Sequence, residues 1–110
     1  MNKIIYTLIT IITFCCTSLN ANAGITVIGE GASCGSWVEE RQKNSADYKE
    51  MYLLGYLSGL AMGLRKDILS GLDASAVYIW TDNYCKANPT NTLIMAAMVF
   101  KNEIIKKNGF

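Results

Sequence analysis

Four cysteines and no histidine bound what this chain can do chemically. Histidine is the usual general base, nucleophile activator and metal ligand near neutral pH, and its absence removes most hydrolytic and transfer chemistries at once. Two cysteines, Cys15 and Cys16, sit in an apolar leader, which leaves Cys34 and Cys85 in the rest of the chain. A thiol nucleophile or a thiolate metal site needs reduced cysteine, whereas one remaining pair in an exported chain reads as a disulfide. Glu39 and Glu40 are the obvious paired carboxylates, but neighbours on a helix point about 100° apart and do not share a site. No glycine-rich phosphate loop with a lysine is present. The residue types therefore predict a protein that is not an enzyme and that uses no cofactor and no metal.

The leader itself is tripartite. Lys3 supplies the positive end, residues 4–14 the apolar stretch, and Ala21-Asn22-Ala23 a small-x-small cleavage site. A membrane anchor would need roughly 20 apolar residues, and Thr7, Thr10 and Thr13 interrupt a shorter run. Lipidation would need a small residue before the modified cysteine, and Phe14 precedes Cys15. The expectation is a signal peptide over 1–23, cleavage after Ala23, a periplasmic location and no stable membrane insertion afterwards. Residues 24–110 are then one domain, short enough for a staple to matter. Closing a loop of about 50 residues should contribute about 4 kcal/mol, comparable to the stability margin of a small domain.

Charge gives little direction to this domain. Without Lys3, nine basic residues balance nine acidic ones, and no basic face marks a nucleic-acid partner. Lys101, Lys106 and Lys107 gather at the end of the chain, where cations complement a helix C-terminus.

The pattern of elements is helical. Residues 24–33 (GITVIGEGAS) mix β-formers with glycines and read as a short extended arm. A short helix over 33–42 carries Cys34, Trp37 and Val38 inward. Ser45 is placed to cap the longest helix, which runs to Leu69 with Asp47 and Glu50 near its positive end and closes at Ser70-Gly71. Leu53, Leu57, Leu60, Leu64 and Ile68 make one apolar stripe. Tyr48, Tyr52, Gly55, Gly59 and Met62 make another, which predicts a helix buried among others. Its uncharged run, 51–64, spans about 21 Å and is too short for a bilayer. Asp73 or Ser75 caps a third helix over 76–86, ended by Asn88-Pro89. Thr90 caps a fourth, with Leu93, Ala97, Phe100 and Ile104 on one face and Asn108-Gly109 as its stop. The predicted fold is all-α, a small four-helix domain stapled by Cys34 and Cys85.

Three features stand out as possible contact sites. Gly55, Gly59 and Gly63 line one helix face at a cost of about 1 kcal/mol each against alanine. That pattern suits close approach of another helix, of the arm, or of a partner, with Ala96 and Ala97 as counterparts. Tyr48, Tyr52 and Tyr56 form a ladder at i, i+4, i+8 that would serve packing or a protein interface. Asp82, Asn83 and Tyr84, just before Cys85, could be helix-end hydrogen-bonding residues or a polar recognition patch. Trp80 and Pro89 are expected to pack helices together.

The string LGYLSG at 54–59, Trp80, DNYCKANP at 82–89, then Leu93, Ala96 and Ala97 resembles two groups of small periplasmic helical proteins. One is the Tai-type (Rap-like) immunity proteins, which neutralise effectors of type VI secretion systems. The other is the HdeA/HdeB group of acid-stress chaperones, whose disulfide also joins an early cysteine to one before the last helix. The likeness spans roughly residues 34–105. Gly71-Leu72-Asp73 stands where the immunity group often has a further cysteine. The first resemblance implies a non-catalytic protein whose partner is an effector toxin. The second implies a chaperone for unfolded clients, with a possible homodimer that loosens in acid. A structural accessory subunit of an envelope complex is a third expectation.

Overall fold

The computed structural model describes residues 32–110. The signal peptide, its cleavage site and all but the last two residues of the expected arm lie outside the described residues. Four helices follow in order: α1 Cys34–Gln42, α2 Asp47–Leu64, α3 Ala74–Ala87 and α4 Leu93–Asn108. The class is all-α. Among the described residues the only β-type pairing is an isolated bridge between Ser33 and Thr92.

Local chemistry explains where three of the helices begin. Ser33 caps α1 by accepting from the Ser36 amide at 3.1 Å. Asp73 caps α3 through the Ala76 amide at 2.7 Å, and Thr92 caps α4 through the Met95 amide at 3.2 Å. Each side chain satisfies one of the amides that a helix start leaves open. Thr92 rather than Thr90 does this for α4, because Asn88 to Asn91 first form a turn that includes Pro89 and Thr90. Ser45 does not cap α2. Its hydroxyl donates back to the Glu40 carbonyl, and buried Ala46 holds the cap position without a side-chain bond.

The long helix also ends earlier than its apolar pattern predicts. Arg65 takes a left-handed conformation (φ 52°) and its amide closes on the Met62 carbonyl. Ile68, on the predicted stripe, is fully buried from the turn beyond the helix. Gly71 at φ 76° lets the chain reverse into α3. Gly109 at φ 70° terminates α4 as expected.

The helices α1 and α3 run antiparallel, since Cys34 meets Cys85 and Trp37 meets Asp82. The α4 helix packs on α3, on α1 and on α2. Trp37, Leu53, Leu57, Ile68, Val77, Leu93, Ala96, Ala97, Phe100 and Ile104 fill the shared core. The expected α4 face is therefore buried as drawn from the sequence.

The disulfide joins Cys34 to Cys85 with their Cα atoms 4.7 Å apart, and both residues are fully buried. Backbone bonds reinforce this end of the molecule. Cys34 N–H donates to Asn91 at 2.8 Å, Leu93 N–H to Ala32 at 2.8 Å, and Gly35 N–H to Pro89 at 3.1 Å. The starts of α1 and α4 and the end of α3 thus form one clasped corner.

Candidate functional site

Much of the polar equipment is spent on holding helices together. Asp82 Oδ1 accepts from Trp37 Nε1 at 2.8 Å and from Arg41 Nε at 3.1 Å, while Oδ2 accepts from Arg41 Nη2 at 3.1 Å. Arg41 Nη1 donates to Glu50 at 2.6 Å. The guanidinium also lies over the rings of Trp37 and Tyr78, at 5.7 and 5.2 Å. Arg41 of α1 therefore links α2 and α3 through two carboxylates and the Tyr78 ring, while also covering Trp37 of its own helix. Donation to Asp82 raises the Arg41 pKa above its ordinary value, against the opposing effect of burial. Burial likewise pushes the Tyr78 phenol up. Lys49 pairs with Glu40, adding a second link between α1 and α2.

The remaining candidates divide by position. Tyr84 stacks on Trp80 with ring centres 5.2 Å apart, and its hydroxyl accepts from Asn91 at 2.8 Å. Asn83 is exposed between these two engaged neighbours. Trp80 packs α3 onto α4 against Phe100 at 4.9 Å and donates to Glu103 at 2.9 Å. A cleft of about 370 Å³ opens beside it, lined in part by Leu72, Phe100, Ile104 and Lys107. Tyr52 and Tyr56 stack on each other at 6.4 Å and lie half-buried against the core. Tyr48 is 79% exposed, so the three tyrosines do not form one outward ladder.

The glycines face away from the core. A Cβ placed on Gly55, Gly59 or Gly63 would meet nothing within 4 Å. No described helix approaches them closely, and Ala96 and Ala97 are buried elsewhere in the core. Beside the glycines, Met51 is 72% exposed and Met62 79%. The helix is therefore not enclosed on all sides. It buries Leu53 and Leu57 and turns Tyr48, Met51, Gly55, Ser58, Gly59, Met62 and Gly63 outward.

That face has a feature readable from the sequence alone. Residues 51–64 contain no charged residue, so the outward side of α2 lacks the charges that normally cover a surface helix. Reading the run as core missed this, because hydropathy cannot say whether the second side of a helix has a neighbour. Arg41 was missed for another reason: nothing in its local spacing announces partners 9 and 41 positions away.

Among the described residues no helix is long and apolar enough to cross a membrane, and no cluster of three metal-ligating side chains occurs. No protein-family model matches the chain, and no curated protein or solved structure matches it either.

Proposed function

We propose that this chain is a non-catalytic periplasmic protein that binds another protein, and that it acts as an immunity protein against a secreted effector toxin. The observation that carries the reading is the outward face of α2. It is flat at three glycines, apolar at Tyr48, Met51 and Met62, and held on a disulfide-clasped scaffold. Exposed, contiguous apolar surface of this kind marks protein contact sites. A preorganised surface also loses little entropy on binding. The resemblance at residues 54–59 and 82–89 supplies the immunity role.

The test is genetic and then biochemical. The adjacent gene should encode a secreted effector, and co-expression of this chain should protect cells from it. The purified pair should form a stoichiometric complex that Met62→Glu weakens. Absence of any stoichiometric partner would remove the immunity reading.

A second reading, an acid-activated chaperone, is favoured by the Arg41 junction. Arg41 ties α1 to α3 and α2 through ion pairs with Asp82 and Glu50, so charge holds the junction closed. ANS binding and client protection at about pH 2–3 would support it. A compact, client-inert protein at that pH would exclude it.

A further inference from the structure

We propose that Met51 and Met62 form a reversible oxidation site on α2, where a peroxide turns an apolar contact face into a polar one. The inference rests on the contact reading of that face and adds its regulation.

Burial decides which sulfur atoms an oxidant can reach. Cys34 and Cys85 are fully buried and already joined, so the described residues offer no thiol. Methionine then supplies the oxidisable sulfur. Met51 and Met62 are largely exposed, Met95 of α4 is half-exposed and Met98 is partly buried. Access therefore ranks the two methionines of α2 first.

Their placement makes the pair matter. About three helical turns separate them, so they project to the same side about 16 Å apart along the axis. Between them on that side lie Gly55, Ser58 and Gly59. The glycines carry no side chain, and the Ser58 hydroxyl is spent on the Leu54 carbonyl at 2.7 Å. No charged residue occurs in 51–64. The two thioethers therefore set the polarity of this stretch.

The chemistry is a two-electron oxygen transfer. A sulfur lone pair attacks one oxygen of hydrogen peroxide, and an S–O bond forms as the O–O bond breaks. The departing hydroxide takes the proton left on the transferred oxygen and leaves as water. Sulfur is oxidised and peroxide reduced. The sulfoxide is polar, and an apolar partner surface leaves its oxygen without a donor, which opposes burial. The fold itself is spared, because neither side chain packs inside it. Methionine sulfoxide reductases remove the oxygen again, one enzyme for each epimer.

Titration of the disulfide-bonded protein with hydrogen peroxide tests this, with peptide mass spectrometry locating the added oxygen. Met51 and Met62 should convert at least about threefold faster than Met98. Helical circular dichroism should stay unchanged while retention on a hydrophobic-interaction column falls, and the two reductases should restore that retention. A chain carrying both Met51→Leu and Met62→Leu keeps the face apolar without sulfur, so peroxide should barely alter its retention. Equal rates at all four methionines overturn the proposal, and so does a leucine variant that loses retention as the parent does. Partner capture is read on the same samples. Oxidation should weaken it at least about tenfold in the parent and leave the leucine variant unaffected, and capture indifferent to both sulfoxides overturns the regulation. A protein that is oxidised at these positions but captures no partner in either state removes the contact reading and leaves the oxidation site standing.

Discussion

Arg41 grips Asp82 through two parallel hydrogen bonds, Nε to Oδ1 and Nη2 to Oδ2, each 3.1 Å long. The pair spans 41 positions and is reinforced by Trp37, whose indole donates to the same Oδ1. A bidentate fork of this kind fixes orientation as well as distance. Seven positions from the pairing of Cys34 with Cys85, it sets the register of α1 along α3 a second time. Asp82 is therefore an internal fastener, and a recognition role for residues 82–84 would fall to exposed Asn83.

Removing the fastener should be costly. Asp82→Ala leaves Arg41 without its main counter-charge and the buried indole N–H without an acceptor. A fully buried pair loses about 3–5 kcal/mol on such a truncation, and an exposed one about 0–1 kcal/mol. With both side chains roughly three-quarters covered, a loss of about 2 kcal/mol follows. Urea titration should show it as a lower midpoint. Asn83→Ala, one residue away and exposed, should leave the midpoint within about 0.5 kcal/mol of the parent.

The disulfide encloses 51 positions, which corresponds to about 4 kcal/mol of stability in the chain-entropy account. Unfolding with and without a reductant should differ by an amount of that order. Cys34→Ala with Cys85→Ala should reproduce the reduced protein. Equal stability in both redox states would contradict the clasp. The hydrogen bonds from Cys34 to Asn91 and from Leu93 to Ala32 should keep the corner helical even when reduced.

The fold was legible wherever its determinants were local. Asp73 as a cap, Asn88-Pro89 and Gly109 as stops, and the stripe from Leu93 to Ile104 are short-range signals, and they place α3 and α4 within two residues at each end. The end of α2 was not legible, because Arg65 adopts a left-handed conformation that favours glycine. Its apolar pattern ran on through Ile68 since that residue is buried from the turn instead. The open face of α2 was half legible: the glycine spacing was evident, but whether it faced a neighbour depended on where α4 lay.

The guanidinium charge at the junction of α1, α2 and α3 responds to alkali. Donation to Asp82 raises the Arg41 pKa above its ordinary value, so its contribution is fully present through neutral pH and is lost only in strong alkali. Glu39 has a pKa held below 4.5 by its hydrogen bond from Lys43, so that contribution is present above 4.5 and fades as pH falls through the lowered value. It is fully exposed and of little consequence. Near-ultraviolet circular dichroism, which reports the Trp37 and Tyr78 rings beneath the guanidinium, should therefore hold steady from neutral pH into mild alkali. Asp82→Asn, which removes the charge that the guanidinium grips, should weaken that signal at neutral pH.

The glycines of α2 give a readout of whether their face is open. A methyl group on Gly55 or Gly59 meets nothing within 4 Å, so alanine gains helix propensity without a clash. Each substitution should stabilise the monomer by up to about 1 kcal/mol, raising Tm by about 4–8 °C per kcal/mol for a domain of this size. Had the glycines made room for a helix of the same chain, the sign would be reversed, since overpacking costs about 1–3 kcal/mol. A thermal melt of Gly55→Ala and Gly59→Ala checks the sign. A higher Tm fits an open helix face. A lower Tm would place a contact for these glycines inside the fold.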